Sequence, residues 1–333
     1  MNIHFAADPM ATEARHHHHI PQFYLRGFAT STGKDDYKLT VANVAAGSFF
    51  ETNPRNVGGA RDFNRIEIVG HAPDALERKL AGFEAEVAES IRRVAESQKL
   101  EGDDRRNILN LIALLAVRSP QMREQVRKMQ EQLMKKMLSV SLASKERWEQ
   151  QEARMIAAGK GPPPGEPRLT YEQMKEFHER GEYDILLNRG YHIGLELQMH
   201  NPVLRALAER KWTLYTSDDA TGCLVTTDRP VMLTYVKPME VPPFYRDSPG
   251  FGMPETEVMF PLTQHMTLVG VFEGGESVVK ANTCIVAHAN TKMIHGSYGQ
   301  VYMPKQAVPY LGPDLKTYHD EKFMERYGTL LDR

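Results

Sequence analysis

A chain of 333 residues with 41% hydrophobic content can fill the core of one large domain or two ordinary ones, which excludes global disorder. Its 41 Lys and Arg against 43 Asp and Glu leave a net charge of -2, so a polyanionic partner would have to use a local patch. Cys223 and Cys284 are far apart and form no CxxC pair, which argues against a disulfide scaffold or a cysteine-built zinc site and suits a reducing compartment.

No apolar run approaches the ~20 residues of a membrane helix, and the N-terminus lacks the charged, apolar, small-residue order of a signal peptide. The expected location is the cytoplasm, with residues 1–15 as a loose leader. Residues 16–28 read HHHHIPQFYLRGF. Four histidines would ordinarily suggest a tag, yet they run without a spacer into Phe23, Leu25 and Phe28, which are built for burial. The segment is therefore native, and its imidazoles can do acid/base work near neutral pH.

Residues 38–52 read as a small hairpin turning at Gly47. In residues 53–63, the paired Gly58 and Gly59 allow close backbone approach, and Arg55 and Arg61 can hold an anion or simply be solvated. From Asp74, a candidate N-cap, Leu76, Leu80, Phe83, Val87, Ile91 and Val94 step by three or four, which predicts an amphipathic helix. Residues 105–117 are apolar on most sides and predict the buried centre of a helical layer.

Beyond Ser119-Pro120, Met122, Val126, Met129, Leu133, Met137 and Val140 form a stripe in a charged segment. Residues 122–158 are expected to project as a helical arm that meets a protein partner or a second copy, with the arm region extending to 167 through the Gly/Pro linker 159–167. A capped helix begins at Thr170. Another run, 183–211, places His192, Glu196 and His200 on one face; these are ligand types for a metal, but eight residues span ~12 Å of axis, too far for one ion to touch both histidines.

At Trp212 the pattern changes to short strands at 212–216, 223–227, 231–236, 258–261 and 266–272, read as an antiparallel sheet. A helix at 281–294 and a strand at 301–303 follow. The expected fold class is α+β, with the N-terminal motif, hairpin and helical layer (74–211) packed on a C-terminal sheet (212–303). A single domain spans 16–305, and 306–333 forms a partly unpaired tail.

These pieces in this order resemble the bacterial domain-of-unknown-function family 4238. The likeness rests on His18-His19-Ile20-Pro21-Gln22-Phe23-Tyr24-Leu25-Arg26, Asn56-Val57-Gly58, Arg118-Ser119-Pro120 and Trp212-Thr213-Leu214. It continues in Val225-Thr226-Thr227-Asp228-Arg229-Pro230-Val231, Pro261-Leu262-Thr263 and Asn282, and covers about residues 16–305. Thr227-Asp228 replaces the family's Ser-Asp, and Gln264 replaces a proline. The resemblance implies a role in bacterial anti-phage defence or a toxin-like role, without supplying an activity.

Chemically, His18 offers a general base or acid, Tyr24 and Thr227 hydroxyls, and Asp228 a carboxylate to orient the imidazole. Arg26 and Arg55, with Asn56, Thr226 and Asn282, can hold a phosphate-bearing substrate. This inventory leads to an RNA- or nucleotide-directed phosphodiester hydrolase with no cofactor. One alternative is a non-enzymatic sensor or scaffold that binds an anion and a protein partner. The other is a hydrolase using a divalent metal held by His18 and His19 with His192 or His200, of which His19, His192 and His200 are the weaker ligand candidates.

Overall fold

The computed structural model describes residues 16–34, 36–65, 75–161, 168–246, 248–320 and 322–327. The expected leader, the N-cap Asp74 and residues 162–167 of the linker lie outside these. The chain divides into two compact units, residues 1–120 with 189–333, and residues 121–188.

The first unit opens with β1 (His16–His18), α1 (Gln22–Arg26), β2 (Thr30–Gly33), β3 (Asp36–Asn43), β4 (Ser48–Thr52) and β5 (Gly59–Arg61). The expected hairpin is β3–β4, paired from Leu39 with Thr52 to Asn43 with Ser48. Its turn passes through Gly47 at φ +59. β1 pairs antiparallel with β5, His18 opposite Gly59, and the amides of His19 and Ile20 both donate to the Gly58 carbonyl. A Cβ on Gly59 would sit 2.3 Å from the His16 ring, so the strand can lie this close only over glycine.

Next come α2 (Ala75–Ser97) and α3 (Gly102–Val117). Val87, Ile91 and Val94 of α2 are buried, as the three-four spacing predicts, and Asp103 and Asp104 occupy the first turn of α3, where the helix dipole favours anions. α3 buries Ile108, Leu109, Leu111, Ile112, Ala113, Leu115 and Val117 and forms the centre of the helical layer.

The second unit contains most of α4 (Pro120–Ser141), then α5 (Lys145–Ala157) and α6 (Tyr171–Arg180). Ser144 caps α5, and Thr170 with Gln173 forms the capping box that its sequence predicts for α6. α4 carries a ladder of Arg127 to Glu124 and Glu131 and of Lys135 to Glu131, and it exposes Met129, Leu133, Met137 and Val140. Tyr171 ties α6 back to the Leu142 carbonyl at 2.9 Å.

The first unit resumes with α7 (Arg189–Ala208). It starts later than residue 183 because Gly181 ends α6 in a left-handed turn and residues 181–188 form no regular element. Then follow β6 (Lys211–Thr216), β7 (Thr226–Thr227), β8 (Met232–Tyr235), β9 (Thr256–Thr263), β10 (Met266–Val271), β11 (Ser277–Lys280), α8 (Thr283–Gly296) and β12 (Gln300–Met303). β13 (Val308–Leu311), β14 (Thr317–Asp320) and α9 (Phe323–Tyr327) complete it.

These strands form two main sheets rather than one. The order β11-β6-β10-β9-β8 makes the first, in which β11 runs parallel to β6; the second is β2-β3-β12-β7 with β4 on β3. Within the segment 223–227 only Thr226–Thr227 is strand, and it leaves the first sheet to pair with β12. Alternation explains the layering. Trp212, Leu214, Val258, Phe260 and Leu268 join the core shared with α1, α2 and α3, whereas Met259 and Val269 join the core of α8. The first sheet thus has apolar cover on both faces.

The C-terminal segment is not the unpaired tail that its Pro, Gly and charge predict. Val308, Tyr310 and Phe323 are completely buried in the core of α8, because β13 pairs with β14 and supplies that core with its last apolar side chains. No described helix is long and apolar enough to cross a membrane.

Candidate functional site

Under β1 the fold gathers polar side chains from four segments. Asn64, fully buried, donates its backbone N–H to His17 Nδ1 at 2.8 Å and its side-chain amide to Glu77 Oε2 at 2.5 Å. It accepts from Arg118 Nη2 at 2.5 Å, and the same guanidinium nitrogen donates to the His18 carbonyl at 3.1 Å. Arg118 is 3% exposed and lies 5.5 Å above the Phe63 ring. It reaches this place because α3 ends at Val117. Pro120 drives Ser119 out of helical geometry, and the chain turns while Arg118 still points inward.

His18 is half-buried. Its Nε2 donates to the Arg55 carbonyl at 3.1 Å, and Gln22 Nε2 approaches Nδ1 at 3.4 Å, a pattern that leaves the lone pair on Nδ1. Burial first, then the neighbouring His16, hold the imidazole below its ordinary value, opposed by the Arg55 carbonyl and Glu77. It is therefore neutral near pH 7. Glu84, two turns beyond Glu77 on α2, is pushed up to about 7 by burial and by Glu77, against the pull of Arg118.

A pH signature follows. The folded chain keeps the Glu84 proton where the unfolded chain, with an ordinary carboxyl at 4.5, has lost it. The stability this adds is complete below the ordinary value and is lost as pH rises through about 7. The effect is on the order of 2 kcal/mol after allowing for partial solvent access. His18 acts in the opposite sense, losing stability as pH falls through its lowered value. Glu84→Gln isolates the carboxyl: urea midpoints of variant and parent should diverge as pH rises from 5 to ~8, the variant becoming relatively more stable. Parallel curves would exclude a raised Glu84.

The other residues singled out from the sequence fall into different surroundings. Tyr24 is buried, with its hydroxyl 2.7 Å from Thr226 Oγ1 and donating to the Pro261 carbonyl at 2.8 Å, so both Tyr24 and Thr226 tie α1 to the sheets. Tyr24→Phe should cost about 1–3 kcal/mol in urea unfolding, since it strands a buried acceptor, the Pro261 carbonyl, and a buried donor, the Thr226 hydroxyl. A cost below ~0.5 kcal/mol would show that these two groups find other partners. Thr227 Oγ1 donates to the Arg229 carbonyl and accepts the Arg229 amide, which shapes the turn after β7.

Asp228 spends its two carboxylate oxygens on the amides of Tyr298 and Gln300, at 2.8 and 3.0 Å. Burial pushes it up to about 6 against those bonds. The bond from Asp228 to the His18 ring that the sequence led us to expect is not made: His18 is held by the Arg55 carbonyl, and Asp228 by the Tyr298 and Gln300 amides. Asn282 caps α8 by accepting from the Ile285 amide. Arg26 is exposed, 5.2 Å over the Tyr37 ring, and Arg55 is exposed, while Asn56 bonds Thr52.

Of the weaker metal candidates, His19 is buried against the Phe63 ring, His192 is buried beside Glu196 on α7, and His200 is half-buried. None of the three belongs to a group of three metal-ligating side chains among the described residues.

Asn64, Glu77, Glu84 and Arg118 escaped the sequence reading as site residues. One signal was there. Glu77 and Glu84 are seven apart, within ~20° of each other on a helix, and share the face of Leu80 and Val87. Carboxylates inside an apolar stripe require a polar partner behind it.

The family described as "Protein of unknown function (DUF4238)" matches residues 16–306. Neither the curated proteins nor the solved structures provide a match.

Proposed function

The chain belongs to the DUF4238 family, and for its polar cluster we propose acid–base hydrolysis of a phosphodiester, directed at RNA or a nucleotide. The observation that carries this is the Glu77 carboxylate acting electrostatically on both a lowered imidazole, His18, and a raised carboxyl, Glu84. Two titratable groups whose surroundings push them to the neutral form at pH 7 are a base and an acid ready for use.

In this reading His18 Nδ1 takes the proton of the attacking hydroxyl or water once Gln22 is displaced. Glu84 returns a proton to the departing oxygen, so charge is conserved across the step. Arg118 positions β1 through the His18 carbonyl and holds Asn64 in place. Arg55, exposed and joined to His18 through its carbonyl, offers a cation for a phosphate oxygen, with exposed Arg26 at the end of α1 as a second. A net charge of -2 favours a nucleotide or a single-stranded loop over a long duplex. A defence or toxin-like role in bacteria is the biological setting that the family resemblance adds.

The test is turnover of short RNA oligonucleotides and dinucleotides by purified protein. The rate should follow a bell, needing His18 deprotonated and Glu84 protonated, and should fall roughly 100- to 10,000-fold in His18→Asn and in Glu84→Gln with circular dichroism unchanged. Variants as fast as the parent, or no turnover by the parent, would rule this chemistry out. Activity abolished by a chelator and restored by added metal would replace it with the metal-dependent mechanism.

A further inference from the structure

Away from that cluster, the loop after β6 and the turn between β9 and β10 bring Asp219, Cys223 and His265 together. One ligand atom from each lies within 4.8 Å of the others, and His265 Nε2 is 3.7 Å from Asp219 Oδ1. We propose that these three side chains form a binding site for a zinc-class divalent cation, with solvent completing the fourth position.

The residue types fit. Thiolate, imidazole and carboxylate are the three donors zinc accepts, and three protein ligands with an open position is the arrangement that leaves room for water. The backbone that carries them is tied from both sides. The Ser217 amide donates to the His265 carbonyl and the Leu224 amide to the Gln264 carbonyl, both at 2.8 Å, so the loop is bracketed onto the turn. Asn290 holds the Cys223 carbonyl at 2.9 Å, and Asp218 accepts from the amides of Ala220 and Thr221.

Gly222, at φ +99, passes so close to Pro309 that a Cβ would lie 2.2 Å from its ring, so the approach of Cys223 depends on glycine there. His265 Nδ1 is buried and makes no hydrogen bond. A tetrahedral zinc ion needs donor atoms ~3.5 Å apart, from bonds of about 2.0–2.3 Å. His265 and Asp219 already stand near that spacing at 3.7 Å, Asp219 is 92% exposed and can swing to adjust, and that exposure places the open position towards solvent. Cys223 binds as the thiolate and releases its proton. Thiolate and carboxylate together outweigh the positive charge of Lys305, which acts on Cys223.

Untagged, reduced protein titrated with Co(II) should take up the ion with a thiolate-to-cobalt charge-transfer band in the near ultraviolet. Zinc should bleach that band, since it stands above cobalt in affinity at such a site. Cys223→Ser should abolish it. His265→Gln should weaken binding by more than the 10–100-fold typical of outer-shell changes, and Cys284→Ser, at the exposed cysteine, should leave it intact. Binding without the band, or surviving Cys223→Ser, would place the ion away from Cys223 and overturn the proposal. So would no binding at all, or loss of the band in Cys284→Ser.

Discussion

Arg118→Met should lower the free energy of unfolding by about 3–5 kcal/mol, read from urea midpoints at pH 7, and should loosen β1 at the same time. Methionine fills the volume and keeps the Phe63 contact, so packing is not what is lost. What is lost is the donor that satisfies Asn64 Oδ1 and the His18 carbonyl, together with the positive charge facing Glu84. Without that charge Glu84 is pushed further up, and the cost should shrink as pH is lowered through about 7, where the parent's carboxyl becomes protonated. A cost that does not change with pH would separate Arg118 from Glu84, and a cost below ~1 kcal/mol would show that water replaces the guanidinium without strain.

Arg210→Met should be comparably severe, on the order of 3 kcal/mol or more, for a different reason. This guanidinium is completely buried and donates to the carbonyls of Thr256, Gly270 and Phe251 and to the Thr256 hydroxyl at 2.6 to 3.1 Å, with the Phe272 ring 4.3 Å away. Burial lowers it to about 10, so it remains charged at neutral pH. Its partners sit at the end of β10, the start of β9 and the loop before β9, and the arginine closes that end of the first sheet. Arg210→Lys should recover only part of the loss, since an ammonium cannot serve three carbonyls in a planar fork. Full recovery by lysine would show that charge alone matters there.

Side-chain period explains which parts of this fold could be read in advance. The stripe Val87, Ile91, Val94 and the apolar run from Ile108 to Val117 are local patterns, and each became the helix its spacing specifies. The capping box at Thr170 and Gln173 is likewise closed within four residues. Most strand positions between 212 and 303 were legible for the same reason, but β11, β13 and β14 were not, and neither were the partners. β7 leaves its neighbours in sequence for β12, β11 adds parallel to β6, and β13 completes a core that its Pro-rich surroundings conceal. Pairing depends on contacts across the chain, to which a local pattern is blind.

The candidate site divides along the same line. His18, Arg26 and Arg55 could be singled out because imidazole and guanidinium carry their chemistry in their type, but only His18 sits at the polar cluster, with Arg55 touching it through its carbonyl and Arg26 over the Tyr37 ring. Tyr24, Thr226, Thr227, Asp228 and Asn282 carry equally reactive groups, yet the fold ties each to backbone or to another hydroxyl. Glu84 and Arg118 look like surface charges in a helix and at a helix end. Only burial makes one a raised acid and the other the tie between β1 and Asn64. The same holds for Cys223 and His265, 42 residues apart in sequence and joined by a loop bracketed onto a turn. By itself the sequence determined the elements and the chemical inventory, because both are properties of residues and their near neighbours. Tertiary structure alone decided which groups lose water and which meet, because desolvation and proximity are properties of the packed chain.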